Sequence, residues 1–346
     1  MKITHDNFGE MNSHPVTRYT VTNDHHVRMS VLNYGGIWQE FSVLTPQGRL
    51  NLLLSADSVE NYQKSGYCVC QLIGPVANRI GHAQFQIDGH NYQLQANEGN
   101  NTNHSGDRGW QNHFWHVDTQ INENSGQIIL SNHYRPKDDG MPGVTNVQVV
   151  YTLDNQNQVT IDFYGHTDAA TLFNPTNHSY WNLADRDART VEAQELMINS
   201  EQHLAVDDGK IPTGQLVNNQ DSAYDFKHGR LLGDALHEML KTREKGFDDF
   251  FVVEPSTSMD HQPIAVLRDP ESGREMKMFS DRNALVVYTA NGMPDSVQLN
   301  RPGRSWVAIA LEAQTLPDSV HHPEFGDIIL RSLEPVHHQI RYEITY

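Results

Sequence analysis

Apolar and polar residues alternate along much of the chain with the two-residue period of half-buried strands. Val147, Val149, Tyr151 and Leu153 alternate with mostly polar neighbours, and the pattern resumes after Asp154-Asn155 at Val159, Ile161 and Phe163. Ile340, Tyr342, Ile344 and Tyr346 repeat it at the C-terminus. Each segment predicts a strand with one buried face. Phe85 and Ile87, then Asp88-Gly89, then Tyr92 and Leu94 predict a hairpin closed by a two-residue turn. Residues 306–311 are instead continuously apolar over strand length, and residues 284–290 look similar, broken only by Thr289, which predicts strands covered on both faces. Helix signals are confined to residues 58–64 and 231–240. Many short strands punctuated by Gly, Asn and Asp predict an all-β fold, a sandwich or barrel of mostly antiparallel strands. No repeat of fixed period and no Pro/Ser/Gly-rich linker divides the chain. The polar stretch 218–225 reads as a loop, and one domain over residues 1–346 is expected.

Composition narrows the class. The 346 residues include 25 Lys+Arg and 43 Asp+Glu, a formal charge of −18, and 20 histidines. That balance, with no basic run, argues against binding nucleic acid through its phosphates. It also disfavours acidic substrates and suits neutral small molecules. With so many histidines, net charge is sensitive to pH near 6.5. The two cysteines, Cys68 and Cys70, suggest neither a disulfide framework nor a zinc site. No secretory h-region is visible at the start and no 18-residue apolar run occurs, so a cytoplasmic protein with no membrane partner is expected.

Motifs for dinucleotides, nucleoside triphosphates, serine hydrolases and zincins are absent. The adjacent pairs His25-His26, His321-His322 and His337-His338 would face apart on a strand. Only His113 and His116 have loosely ligand-like spacing, so no metal site is expected.

Three segments pack titratable groups among apolar or aromatic ones. The first runs from Gly74-Pro75-Val76-Ala77-Asn78-Arg79-Ile80 to Asn97-Glu98-Gly99-Asn100-Asn101-Thr102-Asn103-His104-Ser105-Gly106. The second is Asn174-Pro175-Thr176-Asn177-His178-Ser179-Tyr180-Trp181-Asn182-Leu183, and the third is Ile309-Ala310-Leu311-Glu312-Ala313-Gln314-Thr315-Leu316-Pro317-Asp318. Glu312 continues an apolar strand, where desolvation would make its carboxylate a better base near neutrality; an ordinary strand-end glutamate in water fits the spacing as well. His178 lies among amides, hydroxyls and the rings of Tyr180 and Trp181. That mixture suits a sugar, with polar groups on its hydroxyls and rings on its apolar face. A buried histidine held by a backbone carbonyl is the competing reading. Arg79 could equally form a structural ion pair, and His104 could order its Asn-rich loop.

Together the three segments resemble the galactose mutarotase (aldose 1-epimerase) family. Ala77-Asn78-Arg79-Ile80, residues 174–183, and Leu311-Glu312 followed by Pro317-Asp318 carry the resemblance, which extends from Asn33-Tyr34-Gly35-Gly36 to Gly326. It implies a large, mostly antiparallel β-sandwich with a sugar cleft on one sheet. Glu312 would be the general base and His178 the general acid. Asn78, Arg79, His104 and Asp248 would hold sugar hydroxyls, and Tyr180 would also bind the substrate. The family usually has Asp-His where this chain has Asp248-Asp249. Ser105 stands for a Gly, Pro75 for an Arg, and Val286 for a Gln that contacts sugar in some members. The implied reaction interconverts α and β anomers of free aldohexoses such as galactose and glucose, with no cofactor, in a monomer or homodimer. A charged pair, imidazolium beside carboxylate, is expected. Epimerases of maltose or of hexose 6-phosphate, a two-carboxylate glycosidase, and a non-catalytic carbohydrate-binding protein are the rivals.

Overall fold

The computed structural model describes residues 1–186, 189–256 and 262–346. Three sheets organise them, of five, nine and six strands. In the largest, His116–Ile121, Ser125–Tyr134, Thr145–Asp154 and Gln158–Thr167 form an antiparallel meander. The C-terminal strand Val336–Thr345 then inserts between Gln158–Thr167 and Glu275–Ser280, pairing antiparallel with both. The alternating residues predicted to face inward are buried from Val147 to Ile344. Tyr346 departs from the prediction: it lies beyond the strand and is exposed.

The six-stranded sheet runs, in spatial order, Tyr180–Trp181, Ile309–Gln314, Ala284–Tyr288, Asp248–Val252, Gln202–Val206, Pro212–Asn218. Its two faces are both covered. Phe251, Leu285, Val287, Leu311 and Ala313 join Tyr151, Phe163 and Tyr342 of the nine-stranded sheet in one core, so the two sheets pack as a sandwich. The opposite face carries Phe250, Ala284 and Val286 into a smaller cluster under Leu316 and Phe325. This accounts for the unbroken burial of Ile309–Gln314. The predicted strand at 306–311 is displaced, however. Trp306 takes a left-handed φ of 63°, so pairing begins only at Ile309. Glu312 therefore sits inside the strand, not at its end.

The core centre is aromatic. Trp38 meets Trp181 edge-on at 5.4 Å, and both contact Tyr342. Such rings bury roughly 150–250 Å² each and dominate the apolar stabilisation. The five-stranded sheet spans Lys2–Met11 to Gly48–Asn51. Its first strand has mostly exposed positions and no clean alternation, so the apolar pattern gave no sign of it.

Local signals matched their elements. The hairpin forms from Gln84–Ile87 and His90–Gln93, with Asp88 and Gly89 both at positive φ as a two-residue type I′ turn requires. The helix Val59–Ser65 is capped by the Ser58 hydroxyl, which accepts from the Asn61 N–H, and ends at left-handed Gly66. The other predicted helix is Leu232–Met239. Among the described residues one further α-helical turn, Pro136–Asp139, had no apolar period to reveal it. Among the described residues, no helix is long and apolar enough to cross a membrane.

Candidate active site

The outer face of the six-stranded sheet floors a cleft of about 290 Å³. Strand periodicity selects its floor residues. Glu312 pairs across to Val286, and Val286 to Phe250, so these share one row and one face. The next row on that face holds Tyr180, Ala310, Tyr288 and Asp248. Asp248 therefore faces the cleft, while its neighbour Asp249 turns to the other side with Phe251. There Asp249 accepts from the Tyr224 hydroxyl and from the Asp248 N–H, and burial pushes its pKa up to about 6.

Loops supply the walls. Asn78 and His104 both adopt left-handed backbone and lock together: the His104 N–H donates to the Asn78 carbonyl, and the Asn78 N–H donates to His104 Nδ1 at 3.1 Å. A ring nitrogen that accepts from an amide carries no proton, so neutral His104 has its hydrogen on Nε2. Burial first, then the nearby His178 and Arg79, holds the His104 pKa well below its usual value. Its neighbour Ser105, also left-handed, both donates to the Val76 carbonyl and accepts the Val76 N–H. These two bonds offset the strain of a side chain at a left-handed backbone position.

Arg79 is nearly buried and triply held. It donates from Nε and Nη2 to both oxygens of Glu98 at 2.7 and 3.1 Å, from Nη1 to Asn78 Oδ1 at 3.3 Å, and reaches Asp248 at 3.5 Å. Burial opposes its charge, but Asp248 and Glu98 carry its pKa above the ordinary value. The expected alternatives for Arg79 thus coincide, because the ion pair itself borders the cleft. Beneath this segment Asp318 accepts the Gly81 N–H at 2.9 Å and pairs with His321.

At the cleft floor, His178 Nε2 lies 3.3 Å from Glu312 Oε1, and the two side chains are 8% and 2% exposed. Burial, then the field of Asp248, pushes Glu312 up to about 8; burial pushes His178 down to about 4. The expected imidazolium–carboxylate pair is therefore not the favoured form here, because burial outweighs the fields that favour ionisation, that of Asp248 on His178 and that of Arg79 on Glu312. The neutral pair and the charged pair nonetheless contain the same single proton, and differ only in which partner holds it. His178 stacks on Tyr180 at 4.9 Å, and the Tyr180 hydroxyl donates to the Tyr67 carbonyl. Tyr180 thus packs beneath the imidazole and is itself fully buried.

All seven residues singled out from the sequence, Asn78, Arg79, His104, His178, Tyr180, Asp248 and Glu312, line this one cleft. The amides and hydroxyls around His178 do not. Asn174 bonds the Thr315 backbone in both directions, Thr176 donates to Ala313 O, Asn177 to Tyr151, and Asn182 to Val307 O, while Ser179 bonds Tyr342. Their sugar-like composition reflects a buried polar seam that registers this segment against residues 307–315 and, through Asn177 and Ser179, against the nine-stranded sheet. Conversely, Glu98, Asn103, Tyr67, Cys68 and Tyr288 join the lining unforeseen. Glu98 stood in a segment already singled out, but its pairing with Arg79 exists only in space. Cys68 is a thiol there, its pKa pushed up to about 12 by burial and then by Glu312, so it is no nucleophile at neutrality. His113 packs on Tyr134 while His116 is exposed beside Asp118. Among the described residues no group of three or more His, Cys, Asp or Glu could hold a metal ion.

A family model described as aldose 1-epimerase matches residues 17–343. The chain belongs to the aldose 1-epimerase family. A protein of Levilactobacillus brevis named maltose epimerase is 38% identical, the match covering 100% of this chain and 99% of that one. An aldose 1-epimerase of Streptococcus thermophilus is also 38% identical, over 100% and 98%. In fold, the chain matches galactose 1-epimerase of Lactobacillus acidophilus with a TM-score of 0.85 at 24% identity, covering 99% and 98%. The large antiparallel sandwich is thus the galactose mutarotase-like fold, and the enzyme is an isomerase of this family.

Proposed function

We propose that the cleft interconverts the α and β anomers of a neutral reducing aldose, with Glu312 as general base and His178 as general acid. The observation that carries this reading is the buried Glu312–His178 contact at 3.3 Å, aimed into a cleft rimmed by hydrogen-bonding groups. Glu312 takes the proton of the C1 hydroxyl while His178 gives a proton to the ring oxygen. The C1–O5 bond breaks, leaving an open-chain aldehyde, a protonated Glu312 and a neutral His178. Rotation about C1–C2 presents the other carbonyl face. Closure then returns the proton from Glu312 to the new C1 hydroxyl while His178 recovers the one on O5. The substrate favours the charged form of the pair by donating its C1 hydroxyl to the carboxylate and offering O5 to the imidazolium.

Arg79, Asp248, Asn78 and the Nε2–H of His104 supply donors and acceptors for the remaining hydroxyls, and Arg79 also steadies developing negative charge on oxygen. Tyr180 positions the imidazole by stacking. A phosphorylated hexose fits less well, since three carboxylates face the cleft against the single guanidinium of Arg79. The name of the L. brevis relative supports a second reading, a reducing disaccharide as substrate. The chain is taken to work as one domain over residues 1–346, its main core drawing on buried residues from Met11 to Ile344.

Polarimetry tests the reading. Freshly dissolved α-D-glucose, α-D-galactose and β-maltose should each be followed with and without the protein. Accelerated approach to the equilibrium rotation for at least one sugar is expected, with no release of product from a chromogenic glycoside. Glycoside cleavage would instead mark a two-carboxylate hydrolase, and binding without acceleration a carbohydrate-binding protein.

A further inference from the structure

One face of the five-stranded sheet carries a cavity of about 590 Å³ that shares no residue with the catalytic cleft. Strand register builds it. Lys2 pairs with Thr22, Thr22 with Arg28, and Arg28 with Ser42, one row across four strands. Thr4, Thr20, Ser30 and Glu40 form the next row, and Asp6 faces Arg18 in the third. Val21, Met29, Phe41 and Val43, between these positions, turn the other way into the core.

Five cations and two carboxylates line this cavity, a local surplus of positive charge on a chain of −18. Both carboxylates are engaged. Asp6 accepts from Arg18 Nε and Nη2 at 3.1 and 2.9 Å, and Glu40 accepts from the Ser30 and Ser42 hydroxyls. Arg49 donates to the Ser42 hydroxyl and to the Ser42 and His26 carbonyls, which anchors its guanidinium beside the row of Arg28. Arg186 joins it by donating to the Arg49 carbonyl. Burial and then the field of Arg28 hold the Arg49 pKa below its ordinary value, although Glu40 and Tyr346 oppose them. Among the described residues, the side chains of Lys2 and Arg28 have no hydrogen bond or ion pair.

An anion relieves such crowding, and guanidinium forks match phosphate oxygens. Lys2 stands two strands from Arg28, about 10 Å at ordinary strand spacing, with Thr22 between them. The cavity therefore has two cationic poles joined by hydroxyls. Among the described residues its lining holds no aromatic ring to stack a nucleobase and no apolar side chain to receive a lipid or an apolar peptide. At physiological ionic strength the screening length is about 8 Å, so these cations govern binding more than the distant acidic surface does.

We propose that this face binds a doubly phosphorylated sugar as a ligand and not as a substrate, with one phosphate on Arg28 and Arg49, the other on Lys2, and the threonine hydroxyls bonded to the sugar between them.

Isothermal titration calorimetry tests this, with fructose 1,6-bisphosphate, inorganic phosphate and fructose as probes. The unaltered protein is compared with the double variant Lys2→Glu/Arg28→Glu. Both side chains are exposed and lie outside the catalytic cleft, so the unfolding midpoint and the polarimetric rate on glucose are expected to stay within error of the unaltered protein. The unaltered protein is expected to bind the bisphosphate, more weakly as salt rises, about tenfold or more tighter than inorganic phosphate, and not to bind fructose. The double variant is expected to lose at least about tenfold in affinity for the bisphosphate. The proposal is overturned if the unaltered protein does not bind the bisphosphate at millimolar concentration, if the folded variant binds it equally well, or if inorganic phosphate binds as tightly.

Discussion

A carboxyl group and an imidazole held 3.3 Å apart and away from water titrate as one unit. Between the about 4 to which His178 is pushed and the about 8 to which Glu312 is pushed, the pair carries a single proton. Either tautomer of that state can pass to the one that attacks the sugar, whereas a second proton blocks the base and its loss removes the acid. The pH–rate profile of kcat/KM should therefore be a bell with limbs near those values. Val286 offers a way to move one limb. It stands opposite Glu312 in the strand pairing, and Glu312 Oε2 has no hydrogen-bond partner. Val286→Gln places an amide donor beside that oxygen and stabilises the carboxylate. Its alkaline limb should shift to lower pH, and an unmoved or raised limb would show that the limb does not report Glu312.

At the scale of elements, the segment Asn174 to Asn182 is held by side chains more than by long strands. Asn174 bonds both backbone groups of Thr315 and also accepts from Arg282, a guanidinium buried enough that its pKa falls to about 10. Asn174→Ala removes these partners and leaves buried polar groups unpaired, at roughly 1–3 kcal/mol each. A clear drop in the urea midpoint with unchanged m-value is the expected outcome, and an unchanged midpoint would mean that the seam does not register the sheet. This seam marks the limit of what the sequence made legible. Alternation located the strands of the sandwich, and the Asp88-Gly89 turn and Ser58 cap were readable because each is a local signal. His178 and Glu312 were legible as neighbours of rare, dense motifs. Whether the groups beside His178 faced sugar or backbone depended on contacts distant in sequence, most of them with residues more than a hundred positions away. For the same reason Glu98 and Lys210 were hidden: their partners, Arg79 and Asp248, are near only after folding. The choice between Asp248 and Asp249 was the opposite case, decided by strand period once the strand was placed.

The whole molecule bears the cost of burying these groups. Glu312 titrates near 4.5, the ordinary glutamate value, when unfolded and at about 8 when folded. Between those values the folded state binds the extra proton, so the Glu312 contribution to stability falls as pH rises from about 4.5 through 8 and is constant beyond. Glu312→Gln does not titrate there. Its stability relative to the unaltered protein should grow across that window, checked by denaturant unfolding at several pH values; a constant difference would contradict the raised folded pKa. The overall charge of −18 acts differently. It repels anions at long range but leaves a neutral sugar unsteered. Accordingly, kcat/KM should stay flat as ionic strength rises from 10 to about 150 mM, where the screening length falls from roughly 30 to 8 Å. A steep salt dependence would point to a charged substrate. The central claim, that the Glu312–His178 pair catalyses anomer exchange, is tested most directly by polarimetry of α-D-glucose with Glu312→Gln and His178→Asn beside the unaltered protein. Each substitution is predicted to lower kcat about 10²–10⁴-fold with KM changed only slightly; near-normal turnover by either folded variant would contradict the account.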